Sequence, residues 1–252
     1  MNRPKSRSIA YAARSRILNG GVDRFWTYAD FPTTERVAVS AALSRLAREG
    51  VVRRLRRGVY YRSRDTILGK SRPDPEALVD TVLKLRGARA VPSGNGQYNR
   101  LGLTTQVSGA ITRAVSRRLH MSLASGISVY LSERPLDKQK GIRPEERTAL
   151  DALRRLGAIP DADTRGVLER IRVLLEARTL KFDRLARFAL SEPPRVRALI
   201  GALGEEMLER RAGERVPLRA LSALRASVNP LTVFNIRGAA ETLKRAHAWR
   251  IK

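Results

Sequence analysis

Residues Thr33 to Tyr61 read TTERVAVSAALSRLAREGVVRRLRRGVYY, and the way this stretch folds decides the rest of the reading. Its first part has helical period. Val39, Ala42, Leu43, Leu46 and Ala47 share one stripe of a 3.6-residue wheel, an apolar face to bury. The other side carries Thr33, Thr34, Val37, Ser40, Ala41, Ser44, Arg45 and Arg48. It is small, polar and basic, so it has the slimness a helix needs to enter a DNA major groove. Gly50 stops the helix, and two short β-segments follow. Val52 and Leu55 bracket Arg53-Arg54, and Val59, Tyr60 and Tyr61 come after the turn at Arg56-Arg57-Gly58. Helix, glycine stop and arginine-tipped hairpin predict the recognition helix and wing of a winged helix-turn-helix. The bland alternative is an interaction module whose arginines only guard a sheet edge against further pairing.

Upstream, Ser6 or Ser8 is placed to cap a helix through Leu18, with Ile9, Ala12, Ala13, Ile17 and Leu18 as its stripe and Asn19-Gly20-Gly21 as its stop. Phe25 to Thr27 predicts a short strand, and Tyr28 to Phe31 a short helix closed by Pro32. Thr33 or Thr34 then caps the main helix, with Glu35 in its first turn. The winged-helix domain is expected over residues 1–68, and GKSRPDP, Gly69 to Pro75, is the linker candidate.

The remainder, residues 74–252, reads as a second domain. Asp74 caps and Pro75 opens a helix through Arg86, and Ala88 to Val91 is a short strand. Pro92 to Gly96 is a loop of turn formers. Ile111 to Val115 is a strand, and Leu119 to Leu123 with Ile127 to Leu131 alternates as a β-hairpin around Ala124-Ser125-Gly126. These pieces predict a small antiparallel sheet over about 88–132. Helical patterning covers about 144–252: Pro144 to Leu156, a helix capped by Asp161 or Asp163, Phe182 to Leu190, a longer helix bearing Val196 to Met207, and pieces at Pro217 to Ala226 and Gly238 to Trp249. The expected class is α+β, with an N-terminal winged helix-turn-helix followed by a mixed domain with a small antiparallel sheet and a helical C-terminal part.

The 252 residues carry a net charge of +26, which favours a polyanionic partner, nucleic acid first and an anionic membrane surface second. Arginine and alanine enrichment also follows from GC-rich coding, so distribution says more than total. Met1 to Asp65 holds 15 Lys/Arg against 5 Asp/Glu, and Thr66 to Lys252 holds 35 against 19, so the excess is densest where the winged-helix pattern lies. Arg3, Lys5 and Arg7 extend it into the leading residues. Cysteine is absent, which removes disulfides and thiolate metal sites. No signal peptide and no apolar run long enough to span a bilayer is present, so a soluble cytoplasmic protein is expected. His120 and His247 lack companions at ligand spacing. Asp161-Ala162-Asp163 resembles a divalent-ion pair, but it directly precedes a helix, where Asp favours capping. The expectation is a non-enzyme with no catalytic residue, no metal and no cofactor.

The string SAALSRLAREGVVRRLRRGVYY, with PSGNGQYNRLGLTTQVSGAITRAVSRR at Pro92 to Arg118, resembles the AbiEi-type antitoxins of type IV toxin-antitoxin systems. LGLTTQV, Leu101 to Val107, is its most specific piece, and LSEPPRVRALIGALGEEM, Leu190 to Met207, is similar to the same branch. Asp137 to Lys181 adds little. The resemblance implies an antitoxin, active in phage defence, whose winged helix binds inverted repeats in its own promoter as an autorepressor. Its C-terminal domain would counteract a nucleotidyltransferase-like toxin without a stable complex. The implied DNA-binding residues are Thr33, Thr34, Ser40, Ser44, Arg45, Arg48, Arg53, Arg54, Arg56 and Arg57, with a dimer forming on double-stranded DNA. Two other classes remain open: a stand-alone winged-helix regulator or general nucleoid-binding protein, and a metal-dependent nucleic-acid-modifying enzyme using Asp161 and Asp163.

Overall fold

A computed structural model describes residues 8–32, 35–121, 128–210 and 216–252, and divides the chain into two units, Met1–Arg89 and Ala90–Lys252. The class is α+β. In the first unit the Ser8 hydroxyl accepts the Tyr11 N–H at 3.3 Å and starts α1 (Ile9–Asn19). Ala13 and Ile17 are buried and Ile9 and Ala10 pack beside them, whereas Ala12 and Leu18, expected on the stripe, are exposed. The buried face follows positions 9, 13 and 17, and Leu18 lies one residue off it. Next come β1 (Arg24–Trp26), a 3-10 turn (Tyr28–Asp30), α2 (Arg36–Arg48), β2 (Arg53–Arg56) and β3 (Val59–Arg62).

The three strands form an antiparallel sheet in the order β1-β3-β2, in register Trp26 with Tyr60 and Arg54 with Tyr60. Between Arg54 and Arg56 the register shifts, so Leu55 is a bulge that adds twist to the β2–β3 hairpin, the segment expected as the wing. Helix α2 buries Val39, Ala42, Leu43 and Leu46 against Ala13, Ile17, Trp26 and Tyr60, the stripe its sequence predicts. Gly50 at φ +75° lets the chain reverse, and the Val51 and Val52 N–H groups both return to the Leu46 carbonyl. Glu35 is the residue before the helix and makes no side-chain cap, rather than lying in the first turn. Thr33 and Thr34, expected as caps, lie outside the described residues.

A second hairpin, β4 (Asp65–Thr66) and β5 (Gly69–Lys70), occupies the start of the expected linker. Helix α3 (Pro75–Leu85) is capped by Asp74, whose carboxylate accepts the Glu76 and Ala77 N–H groups, and it falls in the first unit by the division at Arg89–Ala90.

The second unit opens with β6 (Ala90–Pro92), α4 (Asn95–Arg100), β7 (Ile111–Val115) and β8 (Val129–Glu133). The sheet order is β6-β7-β8. Strands β6 and β7 are antiparallel, but β7 and β8 are parallel, Ile111 opposite Val129 and Val115 opposite Glu133. The expected antiparallel hairpin is therefore corrected: Leu119 to Met121 are irregular, residues 122–127 lie outside the description, and the sheet is mixed. Alternation on either side of Ala124-Ser125-Gly126 imitated a tight turn, whereas parallel pairing requires the chain to return to the starting end before β8 begins. The expected loop at Pro92–Gly96 is also partly helix, since Gly94 at φ +77° starts α4.

Among the described residues the helices α5 (Pro144–Arg154), α6 (Thr164–Glu176), α7 (Phe182–Ala189), α8 (Pro194–Arg210), α9 (Leu218–Ala226) and α10 (Ala239–Thr242) follow. Helix α8 threads the core through two glycines. A Cβ on Gly201 would fall 2.2 Å from the Trp249 ring, and one on Gly204 would fall 2.3 Å from Phe182. The helix expected from Gly238 to Trp249 breaks at Leu243, which is extended, and resumes only as a 3-10 turn (His247–Trp249).

Strand, loop and helix in this unit are braced by buried charge. Asp151, on α5, accepts the Tyr98 hydroxyl at 2.6 Å, the Ser93 hydroxyl at 3.1 Å and the Arg134 guanidinium at 2.7–2.8 Å. Burial, with the Asp151 charge beside it, raises the Tyr98 phenol far above its ordinary range, so it stays protonated and donating. Glu192 accepts Gln139 at 2.7 Å and Arg154 at 2.8 Å, and its pKa is raised, chiefly by burial. Removing Asp151 would leave Arg134 shielded without its counter-charge. Asp151→Ala is therefore expected to cost about 3–5 kcal/mol in urea unfolding. A loss under about 1 kcal/mol would show that the brace contributes little.

Candidate nucleic-acid interface

The apolar stripe of α2 faces the core, so the opposite stripe faces out. Ser40, Arg45 and Arg48 are exposed, together with Val37 and Ala41. Ser44 differs: it is half-buried, and its hydroxyl lies 3.2 Å from the Tyr60 hydroxyl on β3. The sequence placed Ser44 among base-reading residues, but the structure gives it a bond that ties helix to wing. In the wing, Arg53, Arg54 and Arg57 are exposed. Arg56 is half-buried and one of its guanidinium nitrogens is shut from solvent with no hydrogen-bond partner. Thr33 and Thr34 are outside the described residues. Of the ten residues singled out in the sequence, Ser40, Arg45, Arg48, Arg53, Arg54 and Arg57 thus present exposed side chains on α2 and the wing.

The charge around them is segregated. Among the described residues, Arg45, Arg48, Arg53, Arg54 and Arg57 pair with no carboxylate. The nearby acids are engaged elsewhere: Glu49 with Arg14 at 2.5 Å, and Asp30 with the Thr27 N–H and hydroxyl at 2.7 and 2.8 Å. Arg48, Arg53 and Arg54 line one open cleft of about 730 Å³ with Ser44, Ser63 and Lys70. No acid lines it. Such a concave, one-signed surface attracts a polyanion.

Two further devices hold the surface in place, neither of them read from the sequence. Arg62, at the end of β3, donates to the Ile17 and Leu18 carbonyls at 2.8 and 2.7 Å, at the carbonyl end of α1, where Ile17 also accepts the Gly20 N–H at 3.3 Å. Asp23 sits in the left-handed region at φ +57° and collects the Ser71 hydroxyl, the Tyr61 hydroxyl at 2.9 Å and Arg64 at 3.3 Å. The hydrogen bond from Ser71 is the main cause holding its carboxyl below the ordinary range; partial desolvation opposes it, and Tyr61 and Arg64 add to it. No periodicity marks this hub in the sequence; Asp is among the residues that tolerate the left-handed backbone found there.

In the second unit the Asp163 carboxylate accepts the Gly166 N–H at 2.7 Å and caps α6, while Asp161 occupies a turn at φ +53°. His120 and His247 are exposed. Among the described residues, no group of three or more His, Asp or Glu stands where it could hold a metal ion. No helix among them is long and apolar enough to cross a membrane.

Residues 9–131 match a protein family described as a family of unknown function, DUF6088. No curated protein matches the chain. Among solved structures, the crystal structure of the RV2827C protein from Mycobacterium tuberculosis is similar at 18% identity and a TM-score of 0.45, covering 93% of this chain and 87% of that one.

A depressed carboxyl stabilises the fold above its unfolded pKa, and the contribution is lost as pH falls through the lower folded value. Anchorage by Asp23 is therefore complete above about pH 4 and fails below it. Amide protection at Arg64 and Ser71, whose backbone and side chain bond each other at 2.8 Å, should drop selectively in that acid range. Asp23→Asn should abolish the pH dependence; an unchanged profile in that variant would assign the transition to another group.

Proposed function

We propose that the N-terminal unit grips duplex DNA, and that the chain is an autorepressing antitoxin of a type IV toxin-antitoxin system. The observation that carries the DNA reading is the exposed set of arginines on α2 and the wing, left without carboxylate partners beside an acid-free cleft. Arg53, Arg54 and Arg57 would take phosphates and set register, while Ser40, Arg45 and Arg48 would face base edges. Ser44 would act through Tyr60, holding the helix at a fixed angle to the wing. Two copies on inverted repeats of the chain's own promoter would match a palindrome. The antitoxin role rests on the AbiEi resemblance at Pro92–Arg118 and Leu190–Met207. It assigns to the second unit the counteraction of a nucleotidyltransferase-like toxin in the cytoplasm, with no catalytic step and no cofactor of its own.

Neutralising about six phosphates gives a slope of log K against log salt of roughly −5 on a promoter fragment. Arg53→Ala, Arg54→Ala and Arg57→Ala together should reduce that slope by about 3 and weaken promoter and random DNA alike. Arg48→Ala should instead erode the preference for the promoter by about 1–3 kcal/mol. A slope near zero would remove the electrostatic grip, and uniform footprints without preferred sites would make the protein a general nucleoid binder. Co-expression with the nucleotidyltransferase-like product of an adjacent gene tests the antitoxin role: growth should be rescued, and continued growth arrest would refute it.

A further inference from the structure

Beside the wing stands an exposed apolar point that the DNA reading so far leaves unused. The β4–β5 hairpin pairs Asp65 with Lys70 and Thr66 with Gly69, and its two-residue tip is Ile67-Leu68. Ile67 is 103% and Leu68 94% exposed, the barest large apolar side chains among the described residues. Water-facing loops are ordinarily polar, so two adjacent bare aliphatic residues on a hairpin point to a surface they meet in a complex.

The tip is held forward by a rigid base. The Thr66 hydroxyl donates to the Gly69 carbonyl at 2.6 Å and accepts the Leu68 N–H at 3.3 Å, closing the turn from within. Below it, Arg64 and Ser71 bond each other and both reach Asp23, which fixes the hairpin to the end of the wing sheet. Lys70, on the returning strand, lines the same cleft as Arg48, Arg53 and Arg54. At about 3.4 Å per residue the tip lies only two or three residues, roughly 7–10 Å, beyond that cationic cleft.

We infer that Ile67-Leu68 is a wedge that inserts between base pairs of the duplex held against the wing and kinks it. The inference rests on the DNA reading above and adds to it a deformation of the partner. An apolar tip next to a cationic cleft is a combination that minor-groove wedges use: phosphates bind the cleft and an unstacked base step receives the aliphatic tip. Charge disfavours the rival occupant, a second copy. A second copy of this chain would bring its own share of +26 against Arg64, Lys70 and the cleft, whereas the single acid of the hairpin, Asp65, already faces Lys70 at 4.0 Å.

The test uses the full chain and a mixed-sequence duplex of about 30 base pairs, carrying 2-aminopurine at a TA step and end-labelled for energy transfer. Wild-type protein should raise 2-aminopurine fluorescence and shorten the end-to-end distance. Ile67→Ser with Leu68→Ser should keep the wild-type salt slope, since phosphate contacts are untouched, yet lose both optical changes. Ile67→Met with Leu68→Met should restore them. Wild-type binding without either change overturns the wedge and leaves the DNA reading standing; absence of any wild-type binding overturns both. A change in sedimentation caused by the serine pair, or tip-dependent binding to phosphatidylserine vesicles in preference to the duplex, would assign the tip to a second copy or to a lipid surface and overturn the wedge.

Discussion

A chain with twice as many cations as acids cannot cancel its charge internally, and where it places its few acids decides what its surface becomes. Here acids brace one element against another, at the surface of the first unit and buried in the second. In the first unit Glu49 ties α2 to Arg14 of α1, Asp30 closes the 3-10 turn, and Asp23 anchors the base of the second hairpin. In the second unit Asp151, Glu192 and Glu146 lie buried against Arg134, Arg154 and Arg184. Among the described residues, Arg45, Arg48, Arg53, Arg54 and Arg57 on α2 and the wing then face solvent without a carboxylate partner. Each exposed pair is individually weak, but the arrangement costs little folding energy and leaves a strongly one-signed face.

That face is useful only if it keeps its shape. The Trp26, Tyr60 and Leu43 core sets helix against sheet, the Ser44–Tyr60 bond fixes the spacing of helix and wing, and Arg62 fastens the sheet to the carbonyl end of α1. Polar side chains thus help position the arginines, Ser44 from the wall of the cleft and Arg62 from the far end of β3. A duplex meeting this face would encounter charges already placed, with little ordering left to do on binding.

Much of the first unit was legible because its elements are local. The 3.6-residue stripe of Val39 to Ala47, the stop at Gly50 and the turn at Gly58 each follow from a few neighbouring residues, and the structure places all three as expected. The β4–β5 hairpin was illegible because six residues with two-residue strands have no periodicity to read, and its stability comes from the distant Asp23. Parallel pairing of Ile111–Val115 with Val129–Glu133 was missed for a related reason: alternation reports that a segment is a strand, not which way its partner runs. Of the candidate site, exposure of Arg45, Arg48, Arg53, Arg54 and Arg57 followed from the wheel and the turn. The half-buried Arg56 and the Tyr60-bound Ser44 did not, because a bulge at Leu55 and a cross-element hydroxyl pair are tertiary facts.

The proposed contact with nucleic acid is made by one face, formed by α2 and the wing. Hydrogen-deuterium exchange of the full chain, with and without a saturating duplex, locates the contact directly. The account predicts protection concentrated in Arg36–Arg48 and in the Arg53–Arg62 hairpin, with Ala90–Lys252 unchanged. Protection confined to the second unit, with α2 and the wing unaffected, would contradict it.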